Sequence, residues 1–124
     1  MSRRRPRIPF AVRLAVAERD GWRCRLCGEA IEHDPVSEPW PDPLSLTAEH
    51  VVPWCYGGSD DAANIAAAHL ACNVVRGCSR GAPLPLAAAV RAYCQGGRGS
   101  AWERLTDTRR AELVARFPAS LLRA

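Results

Sequence analysis

The sequence predicts a small α+β fold. A short strand and a helix are drawn around a bound metal, with one helix before this core and more helices after it. Three observations carry that prediction. Cys24 and Cys27, and later His69 and Cys72, form two ligand pairs with the same spacing. An apolar run from Leu44 to Val52, β-branched at its end, reads as a strand. Apolar residues recur at helical spacing near both ends of the chain.

The chain has 124 residues, which predicts one compact domain. Hydrophobic residues make up 48% and charged residues 24%, a balance that excludes a disordered chain. No apolar run reaches membrane-spanning length, so no membrane partner is expected. Residues 1 to 7 are basic and lack the apolar stretch of a signal peptide, which predicts a cytoplasmic protein. There paired cysteines bind metal more often than they form disulfides. The formal net charge is +4, and every basic residue is Arg. A basic surface rich in guanidinium forks suits a polyanion, and DNA is the expected partner.

Element by element, residues 1–9 read as a basic arm. Phe10 to Asp20 reads as a helix through Val12, Ala15 and Val16, with Pro9 at its start and Asp20-Gly21 at its stop. Trp22 to Ile31 holds a tight turn with two thiols. Four prolines between 32 and 45 mark a loop. After the Tyr56-to-Ser59 turn, Ser59 or Asp60 is expected to cap a helix running to about Val75, ended by Gly77. Leu84, Leu86, Val90 and Tyr93 predict a further helix. Gly96 to Gly99 reads as a break. A last helix is then expected, carrying Trp102, Leu105, Leu113 and Phe117 and closed by Pro118. The organisation expected is an arm over 1–9, a core domain over 10–79 and a helical extension over 80–124.

Cys24-x2-Cys27 and His69-x2-Cys72 predict a structural zinc site. Two intervening residues let one turn aim both side chains at one ion, and zinc takes four such ligands in a tetrahedron. His33 and Cys78 are the substitute ligands. Cys55 and Cys94 are expected to be small buried hydrophobes.

A second constellation surrounds His50. Glu49 beside it places a hard metal ligand next to a general base. Pro53, Gly57-Gly58, Asp60, Asn64, Cys72-Asn73 and Arg76-Gly77 follow. With the outer Cys pair, this series over about residues 19 to 77 resembles the HNH endonucleases, the ββα-metal nucleases, in their zinc-knuckle form.

The resemblance implies a ββα-metal core that hydrolyses DNA phosphodiester bonds, leaving a 5′-phosphate and a 3′-hydroxyl. It implies His50 as general base, Glu49 and Asn73 as ligands of a catalytic divalent metal, and Asn64 as the residue that fixes the loop orienting His50. Arg76 is implied as a phosphate contact. Asn73 stands where the name-giving His usually does, and with Glu49 it suits magnesium or manganese. The alternative is a non-catalytic zinc module that binds DNA or protein, which gives Glu49 and His50 no task. Phage packaging, restriction and toxin systems, each with its own partner proteins, are the settings the resemblance leaves open.

Overall fold

A computed structural model describes residues 8–32, 42–79, 81–95 and 100–121. Residues 1–7 of the expected arm over 1–9, His33 with most of the proline-rich loop, and the glycine break at 96–99 lie outside the described residues.

The fold is α+β. Helix α1 spans Phe10–Arg19 and buries Val16 and Ala17. It ends at Asp20, after which Gly21 takes the left-handed φ that stops the helix. Asp20 then works across the fold: its carboxylate accepts the Ala67 N–H at 2.9 Å. Its acidity is increased first by the hydrogen bond from Arg19.

Strand β1, Leu46–His50, pairs antiparallel with β2, Ile65–His69. In this register Leu46 faces His69 and His50 faces Ile65. Helix α2, Leu70–Arg76, leaves directly from the end of β2. The two strands and this helix form the ββα unit that the family resemblance implies.

The long helix expected from residue 59 or 60 to about 75 is not formed, and this corrects the reading of that stretch. Ala62–Asn64 is one 3-10 turn, Ile65–His69 is a strand, and only Leu70–Arg76 is helical. Alanine favours helix, but intrinsic propensity is a weak prior against tertiary packing. All five residues of β2 are buried. Continuous burial does not separate a buried strand from a buried helix by periodicity. The small Ala66, Ala67 and Ala68 side chains let α1 and α2 pack closely on this strand.

Helix α3 spans Leu86–Cys94. The last expected helix is three: α4, Ala101–Arg104; α5, Asp107–Arg116; and α6, Pro118–Leu121. Leu105 adopts an extended backbone and ends α4. The Thr106 hydroxyl then accepts the Arg109 N–H at 3.1 Å and caps α5. Pro118 opens α6 rather than closing its predecessor, since the first helical turn has no use for the missing N–H. Leu86, Leu113 and Leu121 join the same buried cluster as Val16, Ile65 and Ala67. Each such leucine contributes about 1.5–3 kcal/mol of burial, so the C-terminal helices are anchored to the ββα unit. Arg109 adds an ion pair to Asp42, just ahead of β1. No described helix is long and apolar enough to cross a membrane.

Candidate metal centre and catalytic cleft

Two centres form where β1, β2 and α2 meet the turn after α1. The first is built from Cys24, Cys27, His69 and Cys72. The Cys24-to-Cys27 turn is closed by the Gly28 N–H on the Cys24 carbonyl at 2.9 Å and by an Arg23–Ala30 bridge. His69 ends β2, and Cys72 lies in the first turn of α2. The four donor atoms all lie within 4.8 Å of one another. A tetrahedral zinc with bonds of about 2.3 Å to sulfur wants sulfurs about 3.8 Å apart, so this quartet can hold zinc.

The surroundings suit thiolates. Backbone N–H groups of Cys27 and His69 point at the Cys24 sulfur at 3.5 and 3.4 Å. His69 places Nε2 at 3.1 Å from the Ala30 carbonyl, which can only accept. The proton therefore sits on Nε2 and the lone pair on Nδ1. That Nδ1 lies 3.4 Å from the Cys27 sulfur and 3.9 Å from the Cys72 sulfur. The hydrogen bond from Cys72 lowers the Cys24 thiol to about 3, and the same bond raises Cys72. Burial raises Cys27.

The remaining cysteines differ in part from expectation. Cys94 is buried as expected, and burial pushes its thiol up to about 11. Cys55 is not a buried hydrophobe: it is exposed and joined to Cys78 by a disulfide, with Cα atoms 6.2 Å apart. Cys78 is thereby not a substitute zinc ligand. The pairing depends on α2 returning to the loop after β1, which cysteine spacing alone does not reveal.

This distribution sets a count. In native zinc-loaded protein, no thiol should react rapidly with a disulfide reagent at pH 8. The raised Cys94 stays protonated there, and its thiolate forms only as pH climbs toward 11. Unfolding with a chelator but no reductant should release four thiols, and added reductant six. Six without reductant would remove the disulfide.

The second centre lies at the C-terminal end of β1. His50, Asn73 and Arg76 line one cavity of about 100 Å³, walled by Pro53, Trp54 and Cys55 on the loop side and by Gly77 and Cys78 on the helix side. That volume takes about three waters, enough for water and phosphate oxygens but not a base pair. The Cys55–Cys78 disulfide joins the two walls. His50 is 3% exposed, and its Nε2 lies 2.6 Å from an Asp60 carboxylate oxygen. The Trp54 ring lies 6.1 Å from the imidazole, centroid to centroid.

Asn64 ties the loop that carries these residues. Its side-chain oxygen accepts the Val52 N–H at 2.8 Å, and its amide donates to the Val52 and Ser59 carbonyls at 3.2 and 2.7 Å. Its own carbonyl accepts the Val51 N–H at 2.8 Å. Glycine at 58 is required by this closure, because a Cβ there would lie 1.7 Å from the Val52 carbonyl oxygen.

Glu49 is fully buried. Its carboxylate receives Arg25 at 3.1 and 3.2 Å and also Arg76. Burial raises the pKa of its carboxyl, while the two guanidiniums oppose that shift. Arg76 further donates to the His50 and Val51 carbonyls at 3.0 and 3.3 Å. Asn73 donates its amide to the Ala48 carbonyl at 3.3 Å and to the Thr47 hydroxyl at 3.5 Å.

Glu49, His50, Asn64, Asn73 and Arg76, the residues that the sequence put forward, all lie at this end of β1. Sequence reasoning missed Arg25 and Asp60. Arg25 sits inside the C-x2-C turn, where residues between ligands carry no signal of their own. Asp60 was expected as a helix cap, but Asp61 precedes the 3-10 turn and makes no side-chain cap.

The HNH endonuclease family model matches residues 24–77 of this chain. The match spans both ligand pairs and the whole ββα unit, so this segment is similar to the HNH endonucleases over that stretch. No curated protein and no solved structure matches the chain.

Proposed function

We propose that the HNH segment over residues 24–77 is a working nuclease that hydrolyses phosphodiester bonds of DNA. The observation that carries this reading is the convergence of His50, Asn73 and Arg76 on one small cavity beside Glu49. A mere zinc module has no need of a buried imidazole opening onto a cleft of that size.

In this reading His50 takes the proton from a water held in the cavity, and the resulting hydroxide attacks the phosphorus in line. The Asn64 bonds keep the loop closed, so the imidazole keeps one position. Arg76, anchored on the His50 and Val51 carbonyls, presents positive charge toward a phosphate oxygen. Arg23 and Arg25 line an open groove of about 390 Å³ that Val51 also borders, a path for backbone phosphates.

Carboxylate and amide oxygens are the hard donors that a divalent ion takes, and here the carboxylate is already paired with two guanidiniums. The Glu49 carboxylate and the Asn73 amide oxygen would hold magnesium or manganese, with Arg25 and Arg76 competing for the carboxylate. When bound, such an ion would neutralise charge on the phosphate and leaving oxygens. The quartet of Cys24, Cys27, His69 and Cys72 would hold zinc as a structural staple.

Incubation of zinc-loaded protein with supercoiled plasmid and magnesium or manganese tests the proposal. Conversion to nicked or linear plasmid bearing 5′-phosphates is expected. Plasmid that is bound and shifted but never cut would favour the non-catalytic zinc module.

A further inference from the structure

We infer that Asp60 is the positioning residue for His50, fixing the imidazole proton on Nε2 and the lone pair on Nδ1. This rests on the nuclease reading for its purpose, though not for its geometry. The His50 Nε2 lies 2.6 Å from the Asp60 oxygen. An ionised carboxylate only accepts hydrogen bonds, so the imidazole nitrogen facing it must donate. A neutral imidazole carries one N–H, and the other nitrogen then holds the lone pair that can take a proton.

The backbone around Asp60 is built for this contact. Ser59, its neighbour, is held by the Asn64 amide on its carbonyl at 2.7 Å. The Ser59 hydroxyl donates to Asp61 at 3.2 Å and accepts the Asp61 N–H at 3.3 Å. The two adjacent acids thus divide: Asp61 closes on Ser59, and Asp60 turns to His50. Capping does not explain Asp60, since the turn that follows begins after Asp61 and has no side-chain cap. The imidazole is nearly buried while the Asp60 side chain is 39% exposed, so the acid approaches from the solvent side. Arg76 meanwhile holds the His50 carbonyl at 3.0 Å. Ring tip and backbone are each fixed, and the Asn64 bonds reach His50 through Asp60.

The test uses the full zinc-loaded chain with 15N-labelled histidine. Long-range 1H–15N correlations from the ring protons report both nitrogens of each imidazole, and His50→Gln assigns the His50 signals. The parent should show a single Nε2–H tautomer, with widely separated nitrogen shifts. Asp60→Ala should narrow that separation toward an averaged ring. In plasmid cleavage, Asp60→Ala should lower kcat by about 10- to 100-fold, with KM and zinc content unchanged, and Asp60→Glu should recover part of that loss. An unchanged tautomer in Asp60→Ala, a parent proton on Nδ1, or unaltered or faster turnover overturns the inference. A parent that never cuts plasmid removes the nuclease reading alone, and the nitrogen shifts still decide Asp60.

Discussion

Replacing His50 with alanine should lower plasmid cleavage by about 10²- to 10⁴-fold, the usual contribution of a positioned general base. The loss should appear in kcat, because the imidazole acts on water rather than on the bound DNA. Arg25 and Arg76 keep their hold on Glu49, and the zinc quartet is untouched, so one zinc per chain should remain. The side chain removed is almost fully buried but opens onto the cleft. Water can fill the space left behind, which keeps the cost in stability small. His50→Gln, closer in volume, separates any loss of packing from loss of the base and should be equally inactive. Cleavage by either variant at the parent rate would remove His50 from the mechanism.

The second large effect is expected from Cys27→Ser. A serine hydroxyl is a poor zinc ligand, and three remaining donors hold the ion far less firmly. Structural zinc binding is folding free energy. Its loss should lower the melting temperature by about 10 °C or more for a domain of this size. Metal analysis should show well under one zinc per chain. Activity should fall as well, because the turn carrying Cys27 also carries Arg25, which reaches Glu49 at 3.1 Å. A variant with full zinc content and unchanged melting would sink the assignment of Cys27 to the quartet.

Much of this site is legible in the sequence because its chemistry is spaced rigidly. Ligands three apart share a turn, and the interval from Glu49-His50 through Asn64 to Asn73 is set by one hairpin and one helix start. The hairpin itself is harder to read. Ile65-Ala66-Ala67-Ala68 looks helical by propensity and is held as a strand only by pairing with β1 and by close packing of α1. Local reading implied a helix there, and tertiary contact overrode it. Leu105 and Thr106 show the opposite case. There a local signal, a threonine able to cap, was present but masked by apolar spacing that ran through it. The Cys55–Cys78 bond and the approach of Arg25 to Glu49 join residues that are distant in the chain. Neither leaves a mark on local composition.

Arg25 carries one more consequence. It is a single residue with a foot in each centre: its neighbours Cys24 and Cys27 belong to the zinc quartet, and its guanidinium rests on Glu49. Stripping zinc from the quartet should therefore loosen the counter-charge on Glu49, the carboxylate proposed to hold the second ion. Inhibition by EDTA, the customary proof of a catalytic cation, would in this protein report on the staple and the cleft together. Restoring zinc first, and only then magnesium or manganese, assigns each part of the recovered activity to its own ion.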